Sequence, residues 1–588
     1  AHRRSSPPHT QARHSAVIML RSDDVDKGAK RTEHENRFDR QLRLWGGHGQ
    51  KLLESAHICA LGSGPTVSEC LKNLVLPNIA KFTIIDDKKV QASDNANNFF
   101  VDDTDIGQQR GAAVMEKLLE MNPWDEKKKF GVRGHHISKN ADKMIEEDSL
   151  DPFKEYTIII ASEISETNML KLADFCYQHN ILFVLVQVNG LIGYVRWTKR
   201  EHCIAESHPV NIDTSDVRIF PQQLSGFPEL SEFVGAFDFK QLRKDKMKHR
   251  HIPWPVIVHH QLCEWVGKHD GQLPKNFDER SDFKEQIKKA SLSYGMELNF
   301  QEAVKNAHKA CIKPHLSPEA QEVLDDPKAK EIGAESTPFW MVVNAINQFK
   351  QNEGNGFLPV NASIPDMTAL PELYVALQKI FQARERKDLD VVHKYVRQAL
   401  ASAGRPEDSV GRAYVDRVAK HIRTAAVVRC NPLDTEYDVK KADFDNINEI
   451  FEEWEEAPEW DEEEMGCPPP LRPKNIYWYF GLRAVERFRA SNEGRYPGAL
   501  GHDFEEDVKT LVDIQNEMFS EYKIRSKVEP AVLRELCRFA GKEIHNTAAM
   551  IGGVASQVCL KLIVRQFVPF DNTFVFNGIH STANVYRL

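Results

Sequence analysis

The feature that most constrains this 588-residue chain is an alternation that begins at Ser55, where short apolar runs are separated by stretches of helical period. "AHICAL" (56–61) reads as a buried strand, "TVSECLKNLVL" (66–76) as a helix, "KFTIID" (81–86) as a strand and "GQQRGAAVMEKLLEM" (107–121) as a helix. "EYTIIIAS" (155–162), "SETNMLKLADFCYQHN" (165–180) and "ILFVLVQV" (181–188) continue the pattern. Strands of nearly unbroken Val, Ile and Leu are buried on both faces, and the helices between them supply the crossovers. The expected fold is α/β, a Rossmann-like doubly wound parallel sheet.

After about Arg200 the pattern changes to long helical periods with polar connections. In "TPFWMVVNAINQFK" (337–350) Pro338 suits a helix start, and Phe339, Val343, Ile346 and Phe349 fall near helical spacing as an ordinary core stripe. "FEEWEEAPEWDEEE" (451–464), followed by "MGCPPPLRP", reads as a solvated acidic loop ending in a Pro-rich turn, with partner docking as the sharper alternative. "NTAAMIGGVASQVCLKLIVRQF" (546–567) is helical apart from Gly552-Gly553, and "TFVFNG" (573–578) returns to strand. The expected organisation is therefore an extension (1–34), a first α/β part (35–200), a large mainly helical insertion (201–474) and a return segment (475–588) that completes the α/β domain.

Charge and cysteine usage narrow the functions. A formal net charge of −9 argues against nucleic acid or an anionic membrane surface as the partner, since both reward a concentrated basic face. No apolar run reaches the roughly 18 residues of a membrane span. The ten cysteines are scattered with no CxxC, which fits neither a disulfide framework nor a structural zinc site and favours a reducing compartment. The sequon at Asn361 then carries no meaning. The first 21 residues hold four arginines and no acid, loosely like an organelle transit peptide, but Pro7-Pro8 interrupts any amphipathic helix and a disordered extension is the preferred reading.

The stretch "LGSGPTVSE" (61–69) falls where a nucleotide loop would sit. Gly62 and Gly64 satisfy the first two positions of a GxGxxG fingerprint, but Val67 occupies the third and Pro65 removes a backbone N–H that could have met a phosphate. Asp86-Asp87 ends the second strand where an acid would hold a ribose. A self-sufficient nucleotide-dependent enzyme, such as a dehydrogenase using Gly62, Gly64 and Asp86, stays open on these residues.

Upstream, "RFDRQLRLWGGHGQKLLESAHICALGSG" (37–64) resembles the opening of the ubiquitin-like-protein-activating enzymes and their bacterial adenylating relatives, with "LKNLVL" (71–76) following the loop as it does there. "GFLPVNASIPDM" (356–367), "EGRYPG" (493–498), "IGGVASQ" (551–557) and "QFVPFDNTFVFNG" (566–578) are similar to the regulatory subunits that activate Nedd-type (Rub) modifiers. The similarity runs from about Arg37 to Leu588. The regulatory subunits for SUMO-type modifiers share the Arg-Gln opening but have a much shorter insertion.

Active halves of that family read approximately GxGGxG, SNLNRQF, GKxKA and a strand ending in Asp-Asn, which together bind ATP and Mg²⁺. Here "SDNANNF" (93–99) puts Asp94, Asn97 and Asn98 where Asn, Arg and Gln would stand, Arg110 takes the lysine position, and Glu163-Ile164 replaces Asp-Asn. Phosphoryl chemistry needs cations and Mg²⁺, so this site should not adenylate. The cysteines lack the CT-type context of a thioester nucleophile, which makes residues 201–474 a catalytic-cysteine-like domain without its cysteine. The resemblance thus implies a non-catalytic regulatory subunit with no cofactor or metal of its own, paired with a catalytic subunit that holds ATP and Mg²⁺. It also implies contact with the modifier and transiently with its conjugating enzyme. By position Arg40 would be the arginine that reaches in trans to the partner's ATP site; the alternative is a surface arginine paired with Asp39 or Glu35. An adaptor acting through the acidic loop is a third reading.

Overall fold

The computed structural model describes residues 31–147, 149–209, 214–452 and 474–588. The first 21 residues, Cys467 and the acidic run from residue 453 lie outside the described residues. The chain divides into two compact units: one comprises residues 1–200, 429–564 and 569–588, the other 201–428 and 565–568.

The first unit opens with a short helix, Glu33–Arg37, closed by a capping box in which the Thr32 hydroxyl and the Glu35 carboxylate satisfy each other's backbone N–H groups. Among the described residues, helix thus begins at Glu33, within the segment expected as an extension. Helix α1 (Asp39–Leu53) follows, then β1 (His57–Leu61), α2 (Pro65–Val75), β2 (Lys81–Ile85), α3 (Arg110–Met121) and β3 (Arg133–Ile137). Next come β4 (Ile158–Ala161), α4 (Glu166–Gln178), β5 (Leu182–Asn189) and β6 (Ile192–Thr198). After the second unit the chain returns with α5 (Asn475–Ser491), α6 (His545–Val564), β7 (Thr573–Asn577) and β8 (Thr582–Tyr586).

These strands form one eight-stranded sheet in the order β8-β7-β6-β5-β4-β1-β2-β3. The five strands from β3 to β5 are parallel, with Ile58 facing Phe82 and Ile158, while β6, β7 and β8 extend the sheet antiparallel. The α/β expectation holds: β4, "IIIA", and β1, "HICAL", are buried at every position, His57 included.

The return to this unit comes at Arg429, well before the expected residue 475. Leu433, Ile447 and Phe451 pack into the sheet's core, and the Glu436 carboxylate accepts from Arg196 Nε of β6 at 2.5 Å. Phe451 and Glu452, expected at the start of an acidic loop, instead end the helix Phe444–Glu452.

Helix α6 is long and apolar enough to cross a membrane by composition, which corrects the expectation that no run would qualify. It packs against α2 and the sheet, with Ile551, Ala555, Val558 and Cys559 buried. Its apolarity is that of a core helix. Gly552 permits the close crossing: a Cβ there would stand 2.7 Å from the Thr66 carbonyl oxygen and 2.9 Å from the Cys70 nitrogen. Both are backbone atoms that cannot swing aside. Gly552→Ala should therefore cost about 1–3 kcal/mol of stability in denaturant unfolding, whereas Ala at Gly553, which faces open space, should be tolerated.

The second unit is mainly helical around two cores. One gathers Trp254, Ile257, Leu262, Phe283 and Phe300; the other gathers Trp340, Ile346, Val392 and Val415. The helix Pro338–Gln351 buries Phe339, Val343, Ile346 and Phe349, the expected core stripe. Asn361 of the sequon is buried and donates to the Thr214 carbonyl at 3.0 Å, so its side chain holds the packing.

Candidate functional site

The loop after β1 has the form of a nucleotide cradle. Gly62 turns it at φ +85°, and Pro65 occupies the first turn of α2, where its missing N–H costs nothing intrahelical. What lies above the loop departs from a cradle. A Cβ on Gly62 would approach Glu163 Oε2 at 3.3 Å, and one on Gly64 would meet Glu543 Oε1 at 3.3 Å and Glu163 Oε1 at 3.4 Å. Two carboxylates thus occupy the space that the glycines open.

Glu543 takes the place of an anion at the helix N-terminus. Its Oε2 accepts from the Thr66 backbone N–H at 3.0 Å and from the Thr66 hydroxyl at 2.6 Å. The positive end of α2, the usual seat of a phosphate, is therefore satisfied internally.

The cations are also committed. Arg110, nearly fully buried, donates from Nε to Asp86 Oδ2 at 2.9 Å and from Nη2 to Glu163 Oε2 at 2.6 Å. Lys88 Nζ reaches the same Glu163 oxygen at 2.9 Å. Burial by itself would raise the Glu163 carboxyl, but Arg110 and Lys88 override it and bring the group down to about 2. Glu543 goes the other way. Its burial and the charge of Glu163 push it up to about 7, against the lowering contributed by Thr66 and Arg110.

The remaining expected positions serve as ties. Asn98 Nδ2 donates to the Ser63 carbonyl at 3.1 Å, and Asn97 Nδ2 donates to the Glu543 carbonyl at 2.8 Å. Asp94 accepts from the Gln91 N–H at 2.8 Å, closing a local turn. Asp86 accepts from Ser63 as well as from Arg110 and is buried, so it offers nothing to a ribose. That takes Asp86 away from the three residues, with Gly62 and Gly64, on which the dehydrogenase reading rests.

Arg40 stands apart, exposed in the first turn of α1, and among the described residues it forms no ion pair. Both alternative partners are engaged elsewhere: Asp39 holds Arg31 at 2.5 Å and Arg43 at 2.8 Å, while Glu35 is spent on the Thr32 cap. The helix beneath it is anchored by buried Trp45, whose Nε1 donates to Gln50 Oε1 at 3.1 Å, and by Gln50 Nε2 on the Pro77 carbonyl at 3.1 Å.

In the helical unit, Cys263 is the one exposed thiol among the described residues, with its Sγ 3.6 Å from His259 Nε2. Partial burial nevertheless pushes this thiol up, the opposite of what a nucleophile needs. Cys203 and Cys311 are half-buried, and Cys430 and Cys537 are buried.

Sheet and loop together define a Rossmann-like fold with Glu163 and Glu543 standing over its glycine loop. The chain belongs to the ThiF family, whose model matches residues 38–587. It is 34% identical over 563 residues to the NEDD8-activating enzyme E1 regulatory subunit of Danio rerio, covering 95% of this chain and 99% of that protein. It is likewise 34% identical over 567 residues to the NEDD8-activating enzyme E1 regulatory subunit AXR1 of Arabidopsis thaliana, covering 96% and 98%. The Drosophila melanogaster counterpart is 30% identical over 570 residues, covering 96% and 100%.

The plug itself was not legible in the sequence. Glu543 lies 477 positions from its hydrogen-bond partner Thr66, in a segment without a motif. Only the folded chain brings it to the loop.

The filled cradle predicts a pH signature. A carboxyl raised from 4.5 to about 7 keeps in the fold a proton that the unfolded chain has released, so its contribution to stability is full below 4.5 and is lost as pH rises through 7. Glu163, depressed to about 2, contributes above 4.5 and loses that contribution only in acid, so the two windows do not overlap. Glu543→Gln should flatten the decline in stability between pH 4.5 and 7, measured by denaturant unfolding across that range.

Proposed function

We propose that this chain is the non-catalytic regulatory subunit of a heterodimeric enzyme that activates a Nedd-type modifier. In this reading it scaffolds a catalytic subunit that holds ATP and Mg²⁺ and carries the thioester cysteine. It supplies Arg40 in trans to that subunit's ATP site during adenylation of the modifier C-terminus, and its helical unit forms part of the path by which the modifier reaches a conjugating enzyme. Cytoplasmic and nuclear compartments suit such a role.

The observation that carries the reading is the cradle filled by Glu163 and Glu543 with Arg110 and Lys88 consumed, set beside relatives named as regulatory subunits. A triphosphate would have to displace two carboxylates and would find both cations already paired. The test is equilibrium binding of ATP with Mg²⁺ to the isolated chain. No saturable binding is expected up to millimolar nucleotide, and tight, stoichiometric binding would overturn the reading.

A further inference from the structure

Within the helical unit, the run from Asp238 to His251 carries six Lys and Arg side chains and two acids, in a chain whose overall excess is acidic. It turns through two short helices, Phe239–Leu242 and Lys246–His249, and both acids are spent on their caps. Asp238 Oδ1 accepts from the Lys240 and Gln241 N–H groups at 2.9 and 3.1 Å, and Asp245 Oδ1 accepts from those of Met247 and Lys248 at 3.1 and 3.2 Å. Lys240, Arg243, Lys244, Lys246 and Lys248 are exposed. Among the described residues Lys248 alone of the six cations comes within ion-pair distance of an acid, at 3.9 Å from Asp245.

Buried ties hold this basic run in place. His249 Nδ1 lies 2.7 Å from Glu297 Oε1, with both side chains 1% exposed, and Asn299 Nδ2 donates to the His249 and Ile252 carbonyls at 2.9 and 3.1 Å. Glu297 Oε2 accepts in turn from the Leu292 and Ser293 N–H groups at 2.7 and 3.1 Å. Around that knot stand four exposed apolar side chains: Met247 and Met296 at 65%, Leu298 at 59% and Leu292 at 41%. Met296 and Leu298 flank the buried Glu297, so this backbone turns its charge inward and its apolar groups to solvent.

A lone exposed apolar residue needs no explanation, whereas several together, rimmed by unmatched cations, mark an interaction surface. Methionine suits such a surface because its unbranched, polarizable side chain moulds to an apolar partner.

We infer that this surface docks an acidic peptide segment carrying bulky apolar side chains. Its carboxylates meet Lys244, Lys246 and Lys248, and its apolar groups cover Met247, Met296 and Leu298. Charge complementarity selects this occupant. A single-stranded nucleic acid rewards aromatic side chains on which bases stack, and the four exposed apolar residues include none. An anionic membrane would have to accept a chain of net charge −9. The inference goes beyond the regulatory role and stands independently of it.

The test is fluorescence anisotropy of the full chain with a fluorescein-labelled peptide of glutamates in which leucines recur at helical spacing. Saturable binding is expected at about 50 mM salt and should weaken as salt rises, because the cations are exposed and readily screened. Lys244→Glu with Lys246→Glu, and separately Met247→Ser with Met296→Ser, should each weaken it about tenfold. The unfolding temperature should not move, since all four side chains are exposed. The same charge reversal at exposed Lys509 and Lys527, in the α/β unit, should leave binding unchanged. Absence of saturable binding, indifference to the methionine changes, or equal loss from both charge reversals would each overturn the assignment. So would tighter binding of a single-stranded oligonucleotide or of phosphatidylserine vesicles than of the peptide.

Discussion

Replacing Arg40 by alanine should lower ATP–pyrophosphate exchange by the assembled heterodimer about a thousandfold, the lower end of what an arginine supplied in trans contributes to phosphoryl chemistry. The side chain is suited to the task because it is exposed and forms no ion pair among the described residues, while Asp39 is shared by Arg31 and Arg43 and Glu35 caps a neighbouring helix. A group that acts on charge developing in the transition state should lower kcat and leave the KM for ATP nearly unmoved. Assembly, followed by gel filtration, should be unaffected, since the anchoring of α1 rests on Trp45 and Gln50. Arg40→Lys should recover part of the rate, because a point charge replaces the planar fork imperfectly. Exchange within twofold of the unaltered complex would leave Arg40 an ordinary surface arginine.

The largest stability effect is expected at the other end of the sheet. Arg196 of β6 is 1% exposed and its partner Glu436 5% exposed; the carboxylate also accepts from the Tyr479 hydroxyl at 2.7 Å. Glu436→Ala strands a buried guanidinium and should cost about 3–5 kcal/mol, visible as a lower midpoint in urea unfolding. Replacing both partners, Arg196→Met with Glu436→Leu, should cost less than the single change, because the penalty belongs to the unpaired charge. Equal costs would mean that the pair contributes through packing alone.

The parallel half of the sheet was legible because β1, β2, β4 and β5 are apolar runs punctuated by helical periods. Strands β3 and β6 were not. Arg133–Ile137 reads "RGHHI" and lies half-exposed at the sheet's edge, and β6 carries Arg196 in the middle of a buried strand. The boundary at Arg429 was hidden for a related reason: besides the scattered Leu433, Ile447 and Phe451, the segment is tied to the sheet by Glu436, a charged residue whose burial no apolar pattern announces. At the site, the depleted loop and the cation at Arg110 could be read from residue types, while Arg40 is singled out by its motif alone. Two things required the fold. One is Glu543 on the helix N-terminus; the other is the engagement of Asp39 and Glu35 with other groups.

In the function proposed above, this chain keeps a ThiF-family fold without adenylation chemistry and completes a partner's site instead. The most direct test is ATP–pyrophosphate exchange with a Nedd-type modifier, measured for this chain alone, for a catalytic subunit alone and for their mixture. Robust exchange is expected in the mixture, little from the catalytic subunit alone and none from this chain. Exchange by this chain alone would contradict it, and would mean that the carboxylates over Gly62 and Gly64 give way to a working nucleotide site.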